Sequence, residues 1–472
     1  MMNSTEKRRT LQDFTHEMKR DWDDRARQNA KWFINTIKFA QSDEEFYGSG
    51  KPEVERLILS DMALLTQGRD PKTLRILEIG CGLGRMTCHL TGLFGEVHST
   101  DVSGEMVRQA RERLQQHANA HFYETSGVDF TEFPNDHFDI VFSVYVFQHV
   151  PSAEVIRSNI TDAYRVLKPG GVMKFQTNSI TALAYEEVEK DTWAGATYSE
   201  ADIRRTAREL GAHLISIFGA DTQYCWTTLR KRQLPTSSVA QAAITRPQIE
   251  LYGRADDLQI KQIPTSGDYA YLTLLVSGLV REEVDANNLT VEINGRKALP
   301  TYVGAVGENF ATALQVESGT PPDHLTQINL RIPSGEPGGK ANVRVRLSSD
   351  EASPPVMIDL LEPQPVVPKI NLVRNEGDGG VDIYARGPKS ALVIYVEGLD
   401  ESADTGNVRV KVGQHILKPR YVGFVPGNGV YQINAQLPAD IAPGEVALSV
   451  YFGNLESPAK PLDIKWADEF IR

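Results

Sequence analysis

Hydrophobic and polar positions follow three patterns along the chain, and each pattern predicts a different kind of structure. Residues 11–66 set aliphatic and aromatic side chains among charges, with few runs of β-forming residues, which predicts helices. From Leu74 to about Lys231, short apolar runs alternate with amphipathic segments, which is typical of a parallel sheet covered by helices. After residue 246, short alternating runs rich in Val, Ile, Tyr, Gly and Pro predict an all-β region.

Seven apolar runs in the middle region are predicted to be strands of one α/β sheet. They occupy residues 74–79, 96–100, 121–123, 138–144, 172–176, 213–218 and 224–230. Open α/β sheets bind their ligands at the carboxyl ends of the strands, so we expect the chemistry of this chain at that edge.

The C-terminal half repeats itself at a spacing of roughly 120 residues. Residues 247–251 (PQIEL) return as 368–372 (PKINL), and residues 302–304 (YVG) return as 421–423 (YVG). Two similar β-sandwiches in tandem are therefore expected. The predicted domains are a helical cap at 1–66, an α/β domain at 67–232, a linker at 233–246, and β-sandwiches at 247–362 and 366–466.

Composition excludes some classes of function. An apolar share of 41% and a charged share of 24% are ordinary for soluble domains that bury their own cores. A net charge of −12 argues against nucleic acid as the main partner, because such proteins concentrate positive charge. The N-terminus lacks the apolar core of a signal peptide, and no apolar stretch is long enough to span a bilayer. We therefore expect a cytoplasmic protein without a membrane partner.

The segment Glu78-Ile79-Gly80-Cys81-Gly82-Leu83-Gly84 indicates a nucleoside-cofactor site. Glycines at alternate positions between a strand and a helix let the main chain approach a ligand that a Cβ would repel. Asp101 lies roughly 20 residues further on, at a strand end where a carboxylate can accept both ribose hydroxyls. Its alternative role is a helix N-cap beside Ser103. Arg85 occupies the position of the last glycine of a dinucleotide motif, and it is either a helix-surface charge or a partner for a carboxylate near the turn.

These motifs resemble the class I S-adenosylmethionine-dependent methyltransferases. The resemblance rests on residues 78–84, on Asp101, on residues 138–143 (FDIVFS) and on residues 165–171 (RVLKPGG), and it covers about residues 70–232. It implies a Rossmann-like seven-stranded fold and S-adenosyl-L-methionine as the cofactor. The cofactor-binding residues that we predict are Glu78, Gly80, Cys81, Gly82, Gly84, Asp101, Val102, Met106, Asp129, Ser143 and Val144. For Asp129, placed after the third strand near the adenine, the alternative is a solvated loop carboxylate.

Methyl transfer needs few catalytic groups, because the sulfonium methyl is already activated and the enzyme chiefly aligns the nucleophile and excludes water. No metal is required. His149, just after the fourth strand, is the predicted base, and a structural loop-capping histidine is the alternative. Gln148 and Tyr145 are predicted substrate contacts. Residues 191–199 form a loop with two aromatics that could close over substrate, or Ser199 begins a helix there.

The β-rich half resembles immunoglobulin-like modules of bacterial multidomain proteins, most closely at residues 431–438 and 442–444. Such modules commonly bind ligands or act as spacers between domains, so a protein or carbohydrate ligand of the sandwiches is expected.

The function that we predict is a methyltransferase acting on a small molecule or on a saccharide or peptide acceptor. Two alternatives are a cofactor-binding scaffold without turnover and an RNA methyltransferase, the latter requiring a basic surface around the pocket.

Overall fold

The computed structural model describes residues 9–466, apart from 37, 182–190, 234–245, 267–269, 308–309, 311–323, 334, 348–351, 362–365, 378, 400–402, 404, 426–428 and 439. Two compact units divide the chain. The first comprises Met1–Ala212 with Gln223–Leu234, and the second comprises His213–Thr222 with Pro235–Arg472. The predicted linker at 233–246 falls almost wholly outside the described residues, and the predicted domain boundaries stay predictions.

The N-terminal part of the first unit is helical, as its pattern predicts. Its helices are α1 (Leu11–Ile34), α2 (Asp43–Gly48), α3 (Gly50–Leu57) and α4 (Met62–Thr66). Capping boxes begin α1 and α2, because Thr10 and Ser42 each exchange hydrogen bonds with an acidic residue three positions later. The α1 helix is kinked at Asn29, whose φ and ψ are not helical. We refer to residues 9–66 as the cap.

One sheet forms the centre of the first unit. Its strands are β1 (Arg75–Ile79), β2 (Glu96–Asp101), β3 (Ala120–Glu124), β4 (Phe138–Ser143), β5 (Leu167–Thr177) and β7 (Cys225–Arg230), and the helices that follow its strands are α5 (Thr87–Leu90), α6 (Gly104–Arg113), α7 (Ala153–Val166) and α8 (Glu200–Glu209). The strand order is β3-β2-β1-β4-β5-β7. All neighbours are parallel except β5 and β7.

This order makes the fold Rossmann-like, because the chain runs outward from β1 in one direction to β3 and then returns to β4 on the other side of β1. The six residues of β4 are all buried, as expected for a central strand covered on both faces. The crevice where the order reverses lies between the carboxyl ends of β1 and β4, directly beside the glycine turn. The predicted α/β class of this part of the chain is confirmed.

The second unit is rich in β-strands. They are β6 (His213–Phe218), β8 (Gln248–Arg254), β9 (Gln262–Pro264), β10 (Tyr271–Ser277), β11 (Leu289–Ile293), β12 (Arg296–Ala298), β13 (Pro300–Ala305), β14 (Thr326–Arg331), β15 (Gly339–Leu347), β16 (Val356–Leu361), β17 (Lys369–Asn375), β18 (Ile383–Tyr384), β19 (Ala391–Glu397), β20 (Val408–Val412), β21 (His415–Leu417), β22 (Tyr421–Val425), β23 (Val430–Gln436), β24 (Gly444–Phe452), β25 (Leu455–Glu456) and β26 (Lys460–Lys465). With β6, all seven predicted strands of the α/β region are observed. Ser216 of β6 pairs with Tyr302 of β13.

Strand order confirms the internal repeat. The first copy contains the orders β13-β14-β10-β8 and β12-β11-β15-β16-β9, and the second contains β22-β23-β19-β17 and β21-β20-β24-β26-β18. Each of these nine strands of one copy therefore has a counterpart in the other, and β25, which pairs with β24, is an addition of the second copy. In the second copy, side chains from both sheets share one core, for example Ile394, Val410 and Val450. The immunoglobulin-like assignment stays a prediction.

Among the described residues, no helix is both long and apolar enough to cross a membrane.

Candidate functional site

A cavity of about 520 Å³ opens in the first unit between the glycine turn and the cap. Its volume is within the range of small-molecule sites. Of the predicted site residues, the cavity is lined by Glu78, Gly80, Cys81, Gly82, Asp101, Val102, Met106, Val144, Tyr145, Gln148 and His149. The described residues contain no cluster of three or more His, Cys, Asp or Glu that could hold a metal.

The glycine turn requires glycine for the packing of the protein itself. Gly80, Gly82 and Gly84 have φ values of +74°, +53° and +80°, a region that side chains other than glycine rarely adopt. A Cβ on Gly80 would lie 2.2 Å from Val146 Cγ2, and a Cβ on Gly82 would lie 2.6 Å from Ile34 Cδ1. Gly84 instead faces Leu114 and is not part of the cavity wall. These two positions of the cavity wall therefore expose main chain, because neighbouring side chains leave no room for a Cβ.

Main-chain donors of the turn are already paired. The N–H groups of Gly80 and Cys81 donate to the Thr100 carbonyl oxygen at 2.7 and 2.9 Å. The Gly82 N–H donates to one oxygen of Asp101 at 2.9 Å, and the Ser103 N–H donates to the other at 2.9 Å. These bonds tie the turn after β1 to the end of β2.

Asp101 lines the cavity and is not the helix cap. The N-cap of α6 is Ser103, whose Oγ accepts from the Met106 N–H at 3.1 Å. Burial raises the pKa of the Asp101 carboxyl, although the two N–H donors act in the opposite direction. A half-buried carboxylate at the end of β2, facing the crevice, suits a ligand with paired hydroxyls.

Glu78 lies beneath the turn at the end of β1. Its carboxylate accepts hydrogen bonds from Thr87 Oγ1 at 2.5 Å and from Ser99 Oγ at 2.9 Å. Burial raises its pKa to about 7, because these two hydroxyls compensate only part of the lost hydration. Glu78 therefore connects β1, β2 and α5 at the cavity floor.

Besides Gly84, two predicted cofactor residues lie away from the cavity wall. Ser143 is buried, and its Oγ donates to the Ile79 carbonyl oxygen at 3.4 Å, whereas the next residue, Val144, lines the cavity. Asp129 accepts a hydrogen bond from Ser126 Oγ at 2.8 Å within its own loop. The nearest part of that loop on the cavity wall is Gly127.

Tyr145 has a strained backbone at the cavity. Its φ is +58°, which is unusual for a bulky residue, and its N–H donates to Gln176 Oε1 at 3.0 Å. The hydroxyl lies 3.3 Å from Glu53 Oε1 and 3.2 Å from Arg56 Nη2. Burial raises the pKa of Tyr145 to about 12. The phenol is thus protonated at neutral pH and held against the cap.

His149 and Gln148 form a chain of hydrogen bonds. His149 Nδ1 donates to the Trp193 carbonyl oxygen at 2.8 Å, which leaves Nε2 to accept from Gln148 Nε2 at 3.1 Å. Gln148 Oε1 in turn accepts from Gln176 at 3.1 Å. Burial lowers the pKa of His149 to about 4. The ring is therefore neutral at pH 7 with both nitrogens engaged, and its role as a base stays a prediction.

Aromatic side chains from distant parts of the chain form the wall opposite the turn. Trp22 and Phe33 come from α1, Trp193 from the 191–199 loop, and Tyr224 from the residue before β7. The Trp22 and His149 rings are 5.6 Å apart, and the His149 and Trp193 rings are 5.2 Å apart. This wall offers flat apolar surface to a ligand.

The 191–199 loop is fixed to the cap. Thr192 Oγ1 donates to Asp21 at 2.8 Å, and Arg25 Nη1 donates to the Thr192 carbonyl oxygen at 3.1 Å. A helix begins at the end of this loop, as the sequence alternative proposed, because Ser199 is the N-cap of α8. Trp32 lies outside the wall and packs on Phe39 at 5.7 Å.

The cap is also fixed to the cofactor side of the cavity. Asp23 of α1 accepts hydrogen bonds from Ser103 Oγ at 2.6 Å and from the Glu105 N–H at 3.1 Å, at the beginning of α6. Ser49 and Glu53, from the later part of the cap, also line the cavity. The sequence analysis did not identify these last two residues, because neither belongs to a local motif.

Comparison with known proteins finds similarity to methyltransferases in the central part of this unit. Residues 76–171 match the family described as Methyltransferase domain. Phosphoethanolamine N-methyltransferase of Plasmodium falciparum is 28% identical over 151 residues, which are 32% of this chain and 51% of that protein. Malonyl-[acyl-carrier protein] O-methyltransferase of Salmonella typhimurium is 32% identical over 115 residues, which are 24% of this chain and 43% of that protein. The chain thus spans about half the length of these relatives, or less.

Solved structures were compared in the same way. Magnesium protoporphyrin IX methyltransferase of Synechocystis with bound S-adenosylhomocysteine is 19% identical, with a TM-score of 0.34, covering 46% of this chain and 100% of that one. The match to a methyltransferase domain supports S-adenosyl-L-methionine as the cofactor that the sequence motifs imply. The residues present suit it, since the bare turn, the facing Asp101 carboxylate and the cavity volume accommodate a nucleoside with a side chain.

Proposed function

We propose that this chain is an S-adenosylmethionine-dependent methyltransferase whose acceptor binds against the aromatic wall of the cavity. The acceptor is a small molecule or a group carried on a saccharide or peptide. The observation that supports this most is that one cavity touches the glycine turn and Asp101 on one side and the side chains of the cap on the other. Cofactor and acceptor can therefore share one water-poor space.

The cofactor and the protein have different roles in the proposed reaction. When bound, the cofactor supplies a methyl group that its sulfonium already activates. The chain positions the cofactor through the turn and Asp101, and it positions the acceptor through Tyr145, Gln148 and the wall. Alignment of two bound reactants accounts for a large part of the rate in such a reaction.

The chemistry of the wall favours an acceptor with a flat or apolar surface near its nucleophile. Trp22, Phe33, Trp193 and Tyr224 provide such contacts, and the neutral His149 ring lies between two of the tryptophans. Glu53 is the carboxylate on the cap side of the cavity, and its neighbour Arg56 donates to it at 2.6 Å. We propose that the β-rich second unit binds or spaces the carrier of the acceptor.

Transfer of labelled methyl groups tests this proposal. The full chain is incubated with isotopically labelled S-adenosylmethionine and cell extract, and the labelled products are separated by size. We expect label in a product of defined size that is absent with Asp101→Ala, because this variant loses the carboxylate that faces the cofactor.

Isothermal titration with S-adenosylhomocysteine accompanies the transfer assay. Binding without any transfer would instead support the cofactor-binding scaffold. Absence of binding by the wild-type chain would overturn the proposal.

A further inference from the structure

We propose that Arg85 binds the carboxylate of the cofactor's amino-acid end. This inference rests on the proposed function and names the partner of one side chain in that site. The sequence left Arg85 open between a helix-surface charge and a partner for a carboxylate near the turn. The structure buries it at 7% exposure in the cavity wall, so it is not a surface charge.

The Arg85 guanidinium has unused donors. Nη1 donates to the Ser49 carbonyl oxygen at 2.9 Å and lies 3.4 Å from Ser49 Oγ. Nε is buried and has no hydrogen-bond partner in the described part of the chain. A buried donor without an acceptor is costly, and nearly all such groups in proteins are satisfied by protein, water or ligand.

The charge of Arg85 also lacks a direct partner. Within the residues that the structure describes, Arg85 forms no ion pair at 4.0 Å or less. Burial lowers its pKa, while Glu53 and Glu78 act on it from a distance in the opposite direction. A buried guanidinium without a carboxylate in direct contact suits a ligand with a carboxylate, which it can bind through two parallel hydrogen bonds.

Other donors near the turn are not available to that carboxylate. The N–H groups of Gly80, Cys81 and Gly82 already donate to Thr100 and Asp101. Arg85 is the only lysine or arginine among the described residues that line the cavity. Glu53 and Glu78 line the same cavity, so a cation and carboxylates together face any ligand there, as a zwitterionic amino-acid group requires.

The experiment compares two ligands that differ only in the amino-acid end. S-adenosylhomocysteine carries the carboxylate, and 5′-methylthioadenosine lacks it. Both are titrated by calorimetry into the full wild-type chain, Arg85→Gln and Arg85→Lys. Arg108→Gln is the matched control, because Arg108 lies exposed on α6 and pairs with Glu105 and Glu112 at 2.6 and 2.7 Å.

We expect Arg85→Gln to weaken S-adenosylhomocysteine binding roughly 10- to 100-fold, while methylthioadenosine binding stays within about twofold. Arg85→Lys keeps the charge but loses the paired geometry, so its loss should be smaller. Methylthioadenosine binding serves as the test of an intact pocket. Unchanged discrimination between the two ligands in both variants, or equal loss of both, would overturn the inference and leave the proposed function standing. Failure of both ligands on the wild type would overturn the proposed function as well.

Discussion

Buried carboxylates are paired differently in the two units. In the second unit, Glu336 accepts from Arg296 at 3.0 Å and from Asn294 at 3.2 Å, and Asp285 accepts N–H bonds from Asn287 and Asn288 at 2.7 and 3.1 Å. These groups are satisfied locally and face no described cavity. In the first unit, Glu78, Asp101 and Arg85 surround one cavity, and Arg85 keeps an unused donor.

The two units also differ in how their strands are buried. In β20 of the second unit, buried and half-buried residues alternate, whereas β4 of the first unit is buried throughout. An alternating strand leaves one face free for contacts with partners, and a fully covered strand leaves only its end for chemistry. This difference indicates that polar groups gathered around one cavity mark the candidate reactive region of this chain.

Core truncation in each unit gives the largest contrast. Ile140→Ala in β4 and Ile394→Ala in β19 remove the same groups from sites with 0% exposure, and each should cost about 2–5 kcal/mol of unfolding free energy. We expect only Ile140→Ala to weaken S-adenosylhomocysteine binding, because β4 borders the cavity. Urea unfolding and calorimetric titration measure the two effects. Weakened S-adenosylhomocysteine binding in Ile394→Ala would show that the second unit also affects the cavity, contrary to this prediction.

The pH dependence of stability should reveal Glu78. Its folded pKa of about 7 lies above the ordinary value of 4.5, so the folded state retains a proton that the unfolded state releases between these values. This stabilisation is complete below pH 4.5 and is lost as the pH rises to 7, a change of about 3 kcal/mol. Glu78→Gln cannot lose that proton, so its stability relative to wild type should rise over this range.

Urea unfolding at pH 4.5, 5.5 and 7 measures this difference. Trp22, Trp193 and Trp226 report on the first unit by fluorescence. His98 and His149, whose pKa values burial lowers to about 4, change stability in the opposite direction in both proteins and therefore cancel. A variant with the same pH profile as wild type would show that Glu78 titrates normally.

Asp101 and Asp285 form a matched pair of carboxylates that each accept two N–H bonds. Asp101→Ala should weaken S-adenosylhomocysteine binding roughly 10- to 100-fold, because it removes the carboxylate that we propose contacts the ribose. Asp285→Ala should leave that affinity unchanged although it removes comparable hydrogen bonds. Equal effects in the two variants would mean that Asp101 acts only through stability.

The smallest effect is expected at Asp129. Its carboxylate is bonded to Ser126 and lies away from the cavity wall, so Asp129→Ala should change cofactor affinity by less than about twofold. Titration of the variant with S-adenosylhomocysteine measures this. A tenfold loss would instead support the prediction that Asp129 contacts the adenine.

The fold was largely predictable because its signals are local. Apolar runs and helix caps depend on neighbours in sequence, and they located the seven strands of the α/β region. The repeat was also visible, since Tyr302 and Tyr421 lie at equivalent positions in β13 and β22. What the sequence does not carry is the relation between distant segments, such as the approach of Glu53 to Tyr145.

Of the predicted cofactor residues, Asp101 at a strand end lies on the cavity wall, whereas Ser143 and Asp129 lie off it, and their contacts with a cofactor stay predictions. Ser143, the last residue of β4, is buried and donates to the Ile79 carbonyl oxygen, whereas Val144, just beyond the strand, lines the cavity. The burial of Arg85 depends on Ser49 in the cap, 36 positions away, and no local pattern encodes it. Ser49 and Glu53 were missed for the same reason.

The hydrogen bonds of Ser103 link the position of the cap helix α1 to the Asp101 carboxylate in the cavity. Its Oγ donates to Asp23 of the cap, and its N–H donates to Asp101. Withdrawal of α1 would remove the Asp23 acceptor from Ser103 and Glu105 in the first turn of α6, beside Asp101. We expect a ligand that contacts Asp101 to bind more tightly when α1 is in place, and by reciprocity its binding should hold α1 in place.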